Sequence, residues 1–106
     1  MGIKLNTEFS DKTAKLTIEG DVDTATAPMF MKEVEKITIN KPLKLVIYAE
    51  GLKFMSSAGL RVIIFAKQKL GVEASIYLVN PQEQIVDTLK KTGFHLSVHI
   101  VDSYPD

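Results

Sequence analysis

The sequence predicts an α/β fold. One mixed β-sheet, an N-terminal antiparallel hairpin followed by parallel strands, is packed with α-helices in the order β-β-α-β-α-β-α-β. Two patterns lead there. Apolar residues alternate up to Ile18 and then recur at helical spacing after Gly20. Helical and strand-like segments take turns from that point on, and strands joined through helices require parallel crossovers. The 106 residues are 45% hydrophobic and 25% charged, enough for one core and too few for two, so residues 1–106 are expected to be a single domain.

Each element has its own signal. Ile3, Leu5 and Phe9 face one way while Lys4, Asn6 and Glu8 face the other, a half-exposed strand. Ser10-Asp11-Lys12-Thr13 is turn chemistry, and Ala14, Leu16 and Ile18 then alternate with Lys15, Thr17 and Glu19, which completes a hairpin. Thr24 or Thr26 caps a first helix, Pro28 sits in its first turn, and Ala27, Phe30, Val34 and Ile37 make its apolar stripe. Asn40-Lys41-Pro42 stops it. Leu43 to Ala49 is apolar without clean alternation, as in a central strand covered on both faces. Glu50-Gly51-Leu52-Lys53 reads as a loop. Ser56-Ser57-Ala58-Gly59 opens a second helix that runs to about Leu70 and ends at Gly71. Ala74 to Val79 is another strand. Asn80 and Pro81 form a cap-and-first-turn pair for a helix carrying Ile85, Val86 and Leu89 and closed by Gly93, and Leu96, Val98 and Ile100 alternate as a last strand.

Composition excludes several functions. Thirteen Lys+Arg balance thirteen Asp+Glu, and Arg61 is the only arginine, which argues against binding nucleic acid or an anionic membrane. Without cysteine there is no disulfide, thiolate metal site or thiol nucleophile. The longest apolar runs, Leu45 to Ala49 and Val62 to Ala66, fall far short of the roughly 20 residues of a membrane span. No apolar signal-peptide core follows Met1, so a soluble cytoplasmic protein is expected. His95 and His99 on one predicted strand would stand about 13 Å apart, too far to share an ion. Neither phosphate-binding glycine motif nor a G-x-S-x-G elbow is present. Asp21 and Asp23 read as turn formers and favourable charges near a helix N-terminus. The expectation is a protein that is not an enzyme and uses no cofactor or metal.

The informative stretch is Lys53-Phe54-Met55-Ser56-Ser57-Ala58-Gly59-Leu60. Two serines before a helix have an ordinary use as caps. On a helical wheel Leu60, Val62, Ile63, Ile64, Ala66 and Leu70 cover one arc, with Lys67 snorkelling from it. Ser57, Arg61, Phe65, Gln68 and Lys69 fall opposite. An aromatic residue beside the sole arginine and a helix-initiating serine has the composition of a protein-binding hot spot.

In these residues the chain resembles the STAS family, most closely the free-standing anti-sigma-factor antagonists of bacteria. The resemblance covers nearly the whole chain. It is carried by Gly20-Asp21-Val22-Asp23-Thr24-Ala25, by Leu45-Val46-Ile47-Tyr48, and by Phe54-Met55-Ser56-Ser57-Ala58-Gly59-Leu60, which is similar to the family's Asp-Ser-[Ser/Ala]-Gly-Leu signature. It implies a partner switch. The unmodified antagonist binds an anti-sigma factor that is also a serine kinase, and phosphorylation of the signature serine releases it. That serine falls on Ser57 and the family's loop aspartate on Asp23. The expected partner surface is Asp23, Ser56, Ser57, Arg61 and Phe65. This sequence departs from the signature at Ser56, where the family has aspartate: the exchange is neutral for capping but removes a charge. Ser56 is therefore an alternative modified residue. A STAS subunit docking on a transporter ATPase, which needs no kinase, is the alternative function.

Overall fold

The alternation over residues 3–18 becomes β1 (Ile3–Ser10) and β2 (Thr13–Val22), an antiparallel pair in register from Ile3 opposite Gly20 to Ser10 opposite Thr13. The structure is a computed structural model and describes residues 2–105. Asp11 turns the hairpin with a φ of 59°, a left-handed conformation that aspartate adopts more readily than most residues. α1 (Ala27–Ile39) buries Ala27, Phe30, Val34 and Ile37, the stripe that the spacing selects. Thr26 stands at its N-cap position, but contrary to expectation neither it nor Thr24 caps the helix through its side chain; at the other end the Asn40 N–H donates to the Ile37 carbonyl and the Lys41 N–H to that of Thr38.

β3 (Lys44–Tyr48) lies parallel to the first half of β2. The next element departs from expectation. Leu52, read as loop, opens β4 (Leu52–Met55), which runs parallel to the second half of β2, with a register shift between Gly20 and Asp21. β3 and β4 therefore occupy successive stretches along the same side of one long strand. Gly51 stitches the step between them, its carbonyl accepting from the Gly20 N–H at 2.9 Å. A four-residue strand beside a glycine has no period to read, and only the length of β2 makes room for it.

α2 (Ser57–Leu70), β5 (Ser75–Val79), α3 (Glu83–Thr92) and β6 (His99–Val101) complete the chain. Two boundaries differ from the sequence reading. α3 starts after Gln82 rather than at Pro81, because Asn80, at a φ of 53°, donates its N–H to the Val101 carbonyl at 2.7 Å. Asn80 thus serves the sheet instead of capping a helix. The last strand is also shorter than expected: Phe94–Ser97 forms a 3-10 turn, and Leu96 within it is 82% exposed. His95 lies in that turn and His99 in β6, so the two histidines do not share a strand.

The sheet order is β1-β2-β3-β5-β6, with β4 also on β2, and it is mixed as expected: one antiparallel pair, then parallel neighbours. One core joins Ala14, Leu16, Ile18, Leu45, Ile47, Ile76 and Leu78 of the strands to Phe30 and Val34 of α1, Leu60, Ile63 and Ala66 of α2, and Ile85 and Leu89 of α3. All three helices therefore cover the same face. β3 is buried on both faces, as its apolar run predicts, since Val46 on the opposite face is also enclosed. No helix core residue reaches that side. Instead, Tyr77 stacks on His99 at 4.8 Å, and the C-terminal tail lays Tyr104 edge-on against Tyr77 at 5.0 Å.

Candidate functional site at the N-terminus of α2

The parallel strands deliver two chain segments to one place. The Ser56 N–H donates to the Val22 carbonyl at 2.8 Å, fastening the end of β4 to the end of β2. One residue further along each segment stand Ser57 and Asp23. The two blocks singled out in the sequence thus meet at the C-terminal ends of β2 and β4.

The two serines have different jobs. Ser56 is extended (φ −83°, ψ 178°) and is the N-cap of α2. Its hydroxyl accepts from the Ala58 N–H at 3.2 Å, and its carbonyl accepts from Gly59 and Leu60. Ser57 is the first residue of the helix, is exposed, and engages no protein group through its hydroxyl among the described residues. The first turn of α2 holds no acidic residue, so the positive end of the helix dipole is not offset by a charge from within.

Asp23 is a turn former, as its position suggests. Its Oδ1 accepts from the Ala25 N–H at 2.9 Å and the Thr26 N–H at 3.0 Å, and its carbonyl accepts from the Ala27 N–H at 2.8 Å. Thr26 closes the turn by donating its hydroxyl to the Asp21 carbonyl at 2.8 Å. The backbone N–H of Thr26, helped by that of Ala25, holds the Asp23 carboxyl below its ordinary value of 3.8, although partial desolvation opposes the shift. Because the folded value is depressed, the contribution to stability is fully present above 3.8 and lost as pH falls through the lower folded value. Asp23→Asn is expected to flatten this acid limb. Melting temperature against pH checks it: the parent should lose more stability than the variant over that window.

Arg61 is exposed one turn after Ser57. Phe65 departs from expectation: it is half-buried against the edge of the core, and the Lys69 ammonium lies 6.0 Å from its ring centroid. α2 packs between α1 and α3, so its buried arc is wider than a wheel for a helix on one neighbour implies. Lys67, as expected, reaches out from the apolar arc, donating to the Ala74 carbonyl at 2.6 Å. Phe54, 41% exposed on β4 two residues before the cap, is a large exposed apolar side chain that sequence reading passed over. Recognising β4 as a strand would have found it, since Phe54 must then point away from buried Met55.

Two devices hold this surface rigid. An added Cβ on Gly59 would lie 2.5 Å from Met55 Cγ and 2.7 Å from Val22 Cγ1, so glycine is what lets α2 sit directly on both strand ends. Gln84 of α3 acts as a substitute strand on the open edge of β4. Its Oε1 accepts from the Met55 N–H at 3.0 Å, and its Nε2 donates to the Met55 carbonyl at 3.3 Å and to Thr88 Oγ1 at 2.9 Å. Gln84→Ala leaves two backbone groups of Met55 without these partners and should cost about 1–3 kcal/mol. Urea denaturation measures the loss, and hydrogen exchange should show the Met55 amide opening first.

Among the described residues no three His, Cys, Asp or Glu side chains gather around a point that would hold a metal ion, and no helix is long and apolar enough to cross a membrane. The surface depressions here are open to solvent; one is lined by Gly2, Ile3, Lys4, Glu19, Gly20, Asp21, Gly51 and Lys53.

The family model described as STAS domain matches residues 4–106. The chain belongs to the STAS family. The fold of this STAS domain is similar to that of an anti-sigma factor antagonist from Mycobacterium paratuberculosis, with a TM-score of 0.86 at 23% identity over 95% of this chain and 86% of that one. It is also similar to the anti-sigma factor antagonist SpoIIAA in its unphosphorylated form (TM-score 0.74, 16% identity, 95% of this chain and 90% of that one). The phosphorylated form of SpoIIAA, a cell fate determinant of Bacillus, gives a TM-score of 0.72 at 16% identity over 92% of this chain and 90% of that one. No curated protein matches this chain in sequence. At these identities the structural likeness establishes the shared fold.

Proposed function

We propose that this STAS domain is an anti-sigma factor antagonist. It binds an anti-sigma factor that is also a serine kinase, through a surface formed by Asp23, Ser56, Ser57, Arg61 and Phe65 and extended by Phe54, and phosphorylation of Ser57 releases it. It acts in the cytoplasm by binding alone, without catalysis or cofactor. One observation carries the reading: Ser56 is engaged as the helix cap, whereas Ser57 presents an exposed hydroxyl with no protein partner among the described residues. Ser57 is therefore favoured over Ser56 as the modified residue.

The physics of release follows from that position. A phosphate adds about −1.5 to −2 charges at pH 7. On the first residue of α2 it meets the positive end of the helix dipole, which no acidic residue of the first turn offsets, so the domain stays folded. A partner packed over Ser57 and Phe54 would have to bury a dianion, so the complex separates. This chain matches both forms of SpoIIAA almost equally, with TM-scores of 0.74 and 0.72, in keeping with a switch that changes the partner and not the fold.

The departure at Ser56 favours a second reading, a STAS subunit that docks on a transporter ATPase, because such a subunit needs no acidic residue beside a phosphorylated serine. Incubation with ATP and a candidate serine-kinase anti-sigma factor, followed by mass spectrometry, separates the two. Phosphate mapped to Ser57 is expected. An unmodified chain that co-purifies with an ABC-type ATPase would overturn the first reading and support the second.

A further inference from the structure

β1 bonds β2 along one edge, and among the described residues no strand pairs with its other edge. The Gly2 carbonyl accepts from the Asp21 N–H at 3.3 Å, so even-numbered residues turn their backbone groups toward β2. Alternation in an antiparallel ladder then turns those of Ile3, Leu5, Thr7 and Phe9 outward. Proteins commonly blunt such an edge with a proline, a bulge or charged side chains, and the charges on β1, Lys4 and Glu8, are of opposite sign. β1 has no proline, no residue of positive φ, and an unbroken register with β2 over its full length.

We infer that this edge pairs with β1 of a second copy of the chain, antiparallel and two-fold symmetric about Asn6, joining two sheets into one. Charge complementarity selects both the occupant and the register. Three self-pairings about the middle of the strand keep the outward residues opposite one another, centred on Leu5, Asn6 or Thr7. Centred on Leu5, Lys4 faces Asn6. Centred on Thr7, Lys4 faces Ser10 and Glu8 faces Asn6. Only the Asn6 register sets Lys4 opposite Glu8 of the second copy, and Glu8 opposite its Lys4, in the closely spaced pairs where side chains approach most nearly. Within the chain Glu19 already stands opposite Lys4, and Lys15 opposite Glu8. The joined sheet would therefore carry rows running Glu19, Lys4, Glu8, Lys15 across four strands, alternating in sign at every step.

The same register uses the remaining features of the edge. Leu5 pairs with Thr7 and Ile3 with Phe9 in the hydrogen-bonded positions, which engages every outward backbone group. On the helix side Phe9 is 49% exposed and Met29 of α1 is 54% exposed. Met29 stands one turn before Glu33, whose carboxylate accepts from the Thr7 hydroxyl, so both apolar side chains flank the free edge. The contact is isologous and closes at two copies. Ser57 follows β4, which lies on the other side of β2 from β1, so this interface is independent of the proposed partner site.

Light scattering on the intact chain over a concentration series should show a dimer; a monomer throughout would overturn the inference. Lys4→Glu or Glu8→Lys alone should weaken the dimer about tenfold, since each sets like charges opposite one another twice, and the double swap should recover it. Failure of the double swap to recover association, with circular dichroism showing an intact fold, would contradict the register. Cysteine cross-linking gives a second readout that tolerates changes in stability, because the chain has no cysteine of its own. Asn6→Cys, on the symmetry axis, should oxidise to a covalent dimer in a glutathione buffer. Lys4→Cys and Glu8→Cys should stay uncoupled separately and cross-link when mixed. Equal cross-linking of Lys4→Cys alone and Asn6→Cys would rule the pairing out.

Discussion

Replacing Gly59 by valine should destabilise the domain by about 3 kcal/mol, the upper end of what overpacking costs and a large part of the stability of a small domain. The added carbon atoms meet two buried side chains from different strands, Met55 at 2.5 Å and Val22 at 2.7 Å. Met55 has rotamers to try, but its backbone is clamped by Gln84, and Val22 is β-branched and stiff at the end of β2. Relief requires the first turn of α2 to lift off the strand ends, which carries Ser56 and Ser57 with it. Urea unfolding should show the lower midpoint. Gly59→Ala, with one carbon, should lose less stability and weaken partner binding through the same displacement.

Ser57→Asp should reduce affinity for the proposed anti-sigma partner about 100-fold, near 3 kcal/mol, while changing the stability of the isolated domain by less than about 1 kcal/mol. The two numbers separate because the carboxylate has opposite surroundings in the two states. In the free domain it sits in solvent at a helix N-terminus that favours negative charge. In the proposed complex it would be enclosed by a partner surface that fits a neutral hydroxyl. Ser57→Ala provides the comparison: it should bind as the parent does and accept no phosphate. Calorimetric titration of the three proteins against one partner, with a thermal melt of each, measures both quantities.

The parts of this fold legible in the sequence are those where a single helix or strand carries a full period of its own pattern. The stripe of Ala27, Phe30, Val34 and Ile37 repeats over three turns, and the hairpin shows clean alternation on both strands, so α1, β1 and β2 needed nothing from the rest of the chain. β4 was hidden because its partner is the far half of β2, reached past a register shift, and a four-residue segment beside Gly51 carries no period. Asn80 misled for a related reason: its N–H serves Val101, twenty-one residues on, a tertiary bond that local cap chemistry does not reveal. Leu96 continues the alternation of Val98 and Ile100, yet the left-handed turn at Gly93 carries the chain into a 3-10 turn before the sheet is reached.

What the sequence made legible is that the segments carrying Asp23 and the two serines meet; how each residue is used was less so. Asp23 and the two serines lie on segments that the topology brings together, as the position of the two blocks before two helices suggests. Which serine caps and which is presented is a matter of backbone geometry at one residue, Ser56, and the sequence left both open. Phe65 shows the limit of a wheel: it returns an angle, while burial depends on how many neighbours a helix has. Phe54 went unnoticed because its outward direction exists only once β4 is a strand.

The most direct test is to phosphorylate the chain with a candidate serine-kinase anti-sigma factor, look for the modification on Ser57 by mass spectrometry, and compare the modified and unmodified proteins in two-dimensional NMR and in binding to that candidate. Amide shifts confined to the first turn of α2 and to the adjoining Val22 and Asp23, together with loss of the complex, are expected. Modified protein that still binds as tightly, or whose spectrum collapses to that of an unfolded chain, would contradict a switch that works by changing the charge of one exposed hydroxyl.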